Sequence, residues 1–271
     1  MSLPVPTSLS PSRVASFKDC ALAFRFSAID RLPEPPSPWA SKGTLVHAAL
    51  EGLFARVAPP ERTVDAGLAQ LELAWAALRT SPDFTGLGLQ AAAEAELLQD
   101  AAGLVSNYFR LEDPTAVHAI GLELKLEARL GDLRLRGVID RLDLDSDGQL
   151  VVTDYKTGRA PGPSFENRRM GGVQFYAFVC EQLFGRRPAR VQLLHLREPL
   201  AIASVPTEQS VAGFQVRTSA VWAAVERACA AEDFRPRPSG LCDYCAFRQW
   251  CPAFGGDPAL ARPDGLALAT G

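Results

Sequence analysis

Asp154 and Lys156 stand two residues apart in Leu150-Val151-Val152-Thr153-Asp154-Tyr155-Lys156, a run whose apolar start reads as a strand central in its sheet. Alternation along a strand puts both side chains on one face. Asp140 closes the run Gly137-Val138-Ile139-Asp140 on the preceding strand, from which it can lie beside them. Two carboxylates beside one lysine suit phosphodiester hydrolysis assisted by Mg²⁺ or Mn²⁺. The hard cation takes oxygen ligands, polarises the phosphoryl oxygen and generates hydroxide. The lysine orients the attacking water and offsets charge in the transition state. Taken alone, an Asp-x-Lys pair is more simply an exposed ion pair at a strand end.

A second group is built on sulfur. Cys242-x-x-Cys245 is followed by Cys251-Pro252, so three of the six cysteines crowd into ten residues. Such crowding favours metal binding over a disulfide framework. Three thiolates leave a tetrahedral site one ligand short, and Cys20, far upstream, is the natural fourth. Four cysteines accept Zn²⁺ or an iron–sulfur cluster, and donor chemistry alone does not separate the two. Cys180 and Cys229 lie among apolar residues of expected helices and read as core.

The elements that must position these groups follow from periodicity. Ser10-Pro11 is an N-cap with proline at the first helical position, and the spacing predicts a helix over 12–29. A stiff proline-rich connector, 32–38, comes next. Helices are expected over about 41–57, 64–78 and 91–111. The pattern then changes to period two around Leu122, Leu124 and Leu126, and a second strand spans about 132–144. Its alternation slips near Gly137, which a bulge or bend at the glycine would explain. Asp145-Ser146-Asp147-Gly148 is a hairpin turn, and residues 157–163 form a Gly/Pro loop. A helix over 165–184, strands over 191–196 and 201–205, and a helix over 208–232 complete the order, that of an α/β sandwich rather than a regular βαβ array.

Taken together, four motifs carry a resemblance. They are Ser10-Pro11-Ser12 with Cys20; Lys42-Gly43-Thr44-Leu45-Val46-His47; Gly137-Val138-Ile139-Asp140-Arg141-Leu142-Asp143; and Asp154-Tyr155-Lys156-Thr157-Gly158. In this order, over about Leu9 to Pro252, the chain resembles the PD-(D/E)xK nucleases, specifically the RecB exonuclease family. The resemblance implies an α/β, restriction-endonuclease-like fold: a mixed central sheet flanked by helices, with a helical N-terminal part. It divides the chain into that part at 1–115, contributing Cys20 and His47, a nuclease core at 116–237, the cysteine segment at 238–254, and a disordered tail at 255–271.

It further implies that Asp140, Asp154 and Lys156 are catalytic. Mg²⁺ or Mn²⁺ would be held by His47, Asp140, Asp154 and the Tyr155 carbonyl. Glu123, Arg141 and Tyr176 would stand behind the ligands or touch DNA. Cys20, Cys242, Cys245 and Cys251 would hold a 4Fe–4S cluster stapling the two ends of the chain, with Zn²⁺ as the alternative. His47 also shares a helix face with Leu50 and Phe54, where a lone histidine is more often core. One departure stands out: family members carry Gln-x-x-x-Tyr on the helix after the Asp-x-Lys strand, and here Tyr176 fits but Gly172 takes the glutamine position, with Gln174 two places late. That leaves open a nuclease-like module that clamps DNA beside a helicase with catalysis impaired.

Bulk properties bound the partners. Net charge is −3, so DNA binding needs a local basic rim rather than a global field. Arg134, Arg136, Arg141, Arg159, Arg168 and Arg169 surround the motifs and could form that rim or an ordinary solvated face. Phe165 and Tyr176 could stack on bases or serve the core. DNA, especially single-stranded ends, is the expected partner. No Walker loop occurs, so a helicase motor would be a separate polypeptide. No apolar run of membrane-spanning length and no leader pattern occur, so a cytoplasmic protein is expected.

Overall fold

The computed structural model describes residues 2–160 and 166–261, and their side chains outside 166–171. Phe165, Arg168, Arg169 and the tail beyond 261 therefore lie outside the described side chains. The chain divides into two compact units, each discontinuous in sequence. One comprises 1–35, 127–136 and 212–271, and the other 36–126 and 137–211.

In the first unit, Ser10 caps α1 (Pro11–Asp19) by accepting the Arg13 N–H at 3.3 Å, with Pro11 at the first helical position. The single helix expected over 12–29 is broken. Cys20 takes extended angles, φ −158° and ψ 109°. Its N–H closes α1 on Ser16, and its carbonyl accepts from Phe24 to open α2 (Ala21–Phe24). A π-helical turn, Arg25–Ile29, follows. The hydrophobic periodicity resumes so soon after Cys20 that the break leaves no mark in the pattern. Leu9 pairs in parallel with Leu135 and so ties the N-terminal strand to this unit's share of the sheet.

In the second unit, α3 (Pro38–Arg56), α4 (Val64–Leu78), the short α5 (Pro82–Thr85) and α6 (Ala91–Tyr108) pack around Leu45, Leu50, Leu53, Leu104 and Val105. Each large aliphatic side chain buried here contributes roughly 1.5–3 kcal/mol. Tyr155 and Leu194 carry this core onto the sheet.

The sheet has five strands in the order β1 (His118–Leu130), β2 (Leu133–Leu144), β3 (Leu150–Lys156), β4 (Arg190–His195) and β5 (Leu200–Ser204). β2 and β3 are antiparallel, from Leu144 opposite Leu150 to Arg141 opposite Thr153. β3 and β4 run parallel, with Lys156 opposite His195, joined by the crossover helix α7 (Glu166–Phe184). β4 and β5 are antiparallel. The sheet is therefore mixed, β3 is its middle strand, and α8 (Glu208–Ala231) follows β5. Among the described residues, no helix is long and apolar enough to cross a membrane.

The expected slip in β2 has a visible cause. From Ile139 to Asp143 every residue is buried, so one-faced alternation gives way to two-faced burial. Gly137 marks the change because Phe175 of α7 packs straight onto the backbone there. A Cβ at Gly137 would meet the Phe175 ring at 2.4 Å.

Candidate active site

The end of β3 gathers the charged groups. Asp154 is buried, and its Oδ2 is ion-paired with the Lys156 ammonium. Burial pushes the Asp154 carboxyl above its ordinary range; the Asp140 charge adds to this and Lys156 opposes it. Tyr176, on α7, is hydrogen-bonded through its hydroxyl to the Val138 carbonyl at 2.7 Å and lies 3.4 Å from Asp154 Oδ1. Tyr176 is thus a buried support for Asp154, not a surface for stacking bases.

Asp140 reaches across from β2. Past the Arg141–Thr153 pair, Asp140 Oδ2 takes the Tyr155 N–H at 2.7 Å, a side chain replacing the next backbone acceptor. That bond fixes the carboxylate beside Asp154.

His47 comes from α3. Gly43, one turn earlier on the same side, explains the Gly-x-x-x-His spacing: a Cβ there would be 3.3 Å from Thr157 Oγ1, so the glycine lets α3 press against the exit of β3. His47 Nε2 then donates to the Tyr155 carbonyl at 3.1 Å. Its Nδ1 faces Asp140 Oδ2 at 3.5 Å and Glu123 Oε1 at 3.8 Å. A histidine whose other nitrogen is fixed on a carbonyl is set up as a metal ligand. Burial alone would lower the His47 pKa, but the Asp140 and Glu123 carboxylates outweigh it and hold it up at about 10.

Glu123, expected to stand behind His47 and Asp140 or to touch DNA, lies beside them. Its ligand oxygen, one from Asp140 and a His47 nitrogen all fall within 4.8 Å of one another. The cause is a kink in β1. Val117 and Ala119, then Leu122, pack on the same core, a change of parity that a regular strand does not make. Glu123 itself has φ +43°, a left-handed conformation rare for a glutamate. Such strain, of order 1–3 kcal/mol, persists where surroundings enforce it. Glutamate carries no local signal for positive φ, so the sequence did not reveal this placement.

The arginine rim needs correction. Arg141 is fully buried and cannot touch DNA. It forks onto Asp143, Nε to Oδ1 at 2.8 Å and Nη2 to Oδ2 at 3.0 Å, and reaches Glu112 at 2.5 Å and the Tyr155 hydroxyl at 2.7 Å. Its guanidinium lies 4.4 Å from the Phe54 ring centroid. With both sheet faces covered, this arginine knits β2 and β3 to the end of α6, where it donates to the Tyr108 hydroxyl at 3.3 Å. Arg134 and Arg136, in the other unit, share Glu127. Arg159 is exposed.

In the first unit, Cys20, Cys242, Cys245 and Cys251 all line one cavity of about 260 Å³, walled also by Leu22, Phe26 and Phe247. The Ser239 N–H donates to Cys242 Sγ at 3.3 Å. Burial raises the Cys245 thiol pKa; the Phe247 N–H partly offsets this, and the other three cysteines add to it. Among the described residues the one group of three or more ligand atoms within 4.8 Å of one another is that of His47, Glu123 and Asp140, so no three of the four sulfurs that share this cavity draw that close together. Cys180 and Cys229 are buried, as expected of core residues.

The model of the PD-(D/E)XK nuclease superfamily matches residues 8–252. The chain is 25% identical over 269 residues to the Gene 69 protein of Mycobacterium phage D29, covering 90% of this chain and 96% of that one. It is 27% identical over 136 residues to the Gene 69 protein of Mycobacterium phage L5, covering 49% and 44%. A crystal structure from Eubacterium rectale that carries a provisional exonuclease name shares the fold at a TM-score of 0.52 and 12% identity, over 88% of this chain and 87% of that one.

Proposed function

The chain belongs to the PD-(D/E)XK nuclease superfamily, and from that premise we propose that it is a divalent-metal-dependent deoxyribonuclease of the RecB-like exonuclease kind, acting on single-stranded ends in DNA repair or recombination. The observation that carries this reading is the meeting of His47, Glu123 and Asp140 beside the Asp154–Lys156 pair. Oxygen-rich donors with one imidazole suit Mg²⁺ or Mn²⁺, and three carboxylates, those of Glu123, Asp140 and Asp154, gather there beside the Lys156 ammonium. His47, Glu123, Asp140 and Asp154 would hold the cation, with the Tyr155 carbonyl close by. When bound, such an ion supplies a Lewis acid for the phosphate and a hydroxide nucleophile.

The chain's own groups do the rest. Asp154 holds the Lys156 ammonium at the rim, where it faces the phosphate and offsets charge developing on it. Tyr176 holds Asp154 still, and Asp140 is locked by the Tyr155 N–H. The nuclease core within residues 116–237, with His47 supplied from the preceding helices, is the catalytic part in this reading. End-labelled single- and double-stranded DNA incubated with Mg²⁺, Mn²⁺ or EDTA tests it. Cleavage that needs the cation and shortens labelled single strands from their ends is expected. Undiminished cleavage in EDTA would sink the metal, and binding without cleavage in any cation would sink the enzyme.

The sulfur cavity takes a 4Fe–4S cluster in the same reading, with Zn²⁺ as the alternative. Backbone N–H groups aimed at Cys242 and Cys245 suit metal-bound thiolates. Protein purified without oxygen is expected to be brown, and Cys245→Ser to lose the visible absorbance and unfold at lower temperature. Colourless protein containing stoichiometric zinc would replace iron in this assignment.

A further inference from the structure

Trp39 is 70% exposed, in the first turn of α3. An indole left in water at this position calls for a reason. The sequence offers none, yet the surroundings are built. Pro38 opens the helix, and the Ser41 hydroxyl donates to the Asp83 carbonyl at 2.8 Å, anchoring this end of α3 to α5. Behind the ring, the Lys42 ammonium sits 4.7 Å from its centroid. Lys42 is itself buried and ion-paired with Asp100, which Arg197 also binds at 2.6 Å. One face of the indole is thus backed by an ammonium fixed in place, and the side chain is otherwise open to solvent.

Trp39, Gly43 and His47 follow one another at intervals of four. Each interval rotates by about 40°, so the three lie along one side of α3, with Trp39 ~12 Å from His47 along the axis. Gly43 meets the exit of β3, and His47 meets the ligand carboxylates. A polymer seated at the site and running along α3 reaches Trp39 within a few nucleotides.

We propose that Trp39 is a stacking platform for the single-stranded DNA that the site cleaves, an inference that rests on the nuclease reading above. Only an unpaired base offers a free π-face, and stacking on aromatic rings tolerates any base. Trp39 carries no charge, so the platform contributes by stacking and not by neutralising phosphate. This favours a strand over a protein partner, because the ring lies on the same side of the helix as His47.

The test measures binding of labelled oligothymidylate by fluorescence anisotropy in EDTA, and cleavage of the same strand in Mg²⁺, for wild type, Trp39→Ala and Trp39→Phe. Trp39→Ala is expected to bind roughly 5- to 150-fold more weakly and to raise KM for cleavage comparably, while Trp39→Phe stays near wild type. The dependence of affinity on salt should keep its slope, since no phosphate contact is lost. An abasic strand should bind wild type and Trp39→Ala alike. Equal affinity of wild type and Trp39→Ala for oligothymidylate, with cleavage intact in both, overturns the platform and leaves the nuclease standing. An equal loss on the abasic strand also overturns it, since stacking then plays no part. Wild-type protein that neither binds nor cleaves DNA removes both readings together.

Discussion

Arg141→Ala is expected to destabilise the protein by about 3–5 kcal/mol, the range seen when one partner of a buried ion pair is removed. Asp143 and Glu112 would be left without their shared cation, Tyr155 would lose its donor, and Thr153 would keep only that of Gln192. The Phe54 ring would lose the guanidinium stacked on it. Against a total stability of roughly 5–15 kcal/mol, such a loss brings unfolding within reach of physiological temperature. Lysine is no remedy, because its ammonium cannot fork onto Asp143 while reaching Glu112. Urea unfolding followed by circular dichroism measures the effect. Replacing the charged set together, Arg141→Met with Asp143→Leu and Glu112→Leu, should restore much of what the single change removes. A single-mutant loss under about 1 kcal/mol, typical of an exposed pair, would show that the network is not the support described.

Lys156→Ala should do the opposite, sparing the fold and ending the chemistry. The side chain is 38% exposed, and its charged partner is Asp154. Cleavage should fall by at least about 10²–10³, the scale for removing one group that stabilises transition-state charge. Mn²⁺ binding should survive, because Lys156 is not a ligand and removing its positive charge does not weaken the attraction of the carboxylates. Asp140→Ala should instead lose the ion and the activity together. Single-turnover cleavage paired with Mn²⁺ titration by calorimetry separates these outcomes. Near-wild-type cleavage by Lys156→Ala would remove the lysine from the reaction.

Much of the frame was legible from periodicity. β3 reads as the middle strand from its unbroken apolar start, and its parity alone puts Asp154 and Lys156 on one face. The helices over 64–78, 91–108 and 208–231 end within a few residues of where their patterns end. What escaped was burial of polar groups. Arg141 looks like a surface charge because nothing in a linear chain announces that both faces of β2 are covered. Glu123 looks like the outward half of an alternating strand, and only the positive φ turns it inward. Cys20 sits in a helical pattern that continues on both sides, so its extended backbone is a tertiary outcome. Trp39 belongs to no local pattern and gains meaning from Lys42 beneath it.

The discontinuity of the first unit sets a schedule for a newborn chain. Its opening 35 residues leave the ribosome long before residues 212–271, with which they form one compact body. At about 5–20 residues per second, the interval between making Cys20 and making Cys242 is ~10–45 s. For that time Cys20 has no neighbouring thiol to share a ligand with and is open to oxidation or to a passing ion, while the other unit has all its residues from position 211 onward and can begin to fold. Closure of the cysteine-lined cavity thus waits until Cys251 has been made, and a chain stalled just before that point would already hold His47, Glu123, Asp140, Asp154 and Lys156 while Cys20 still lacked its cavity partners.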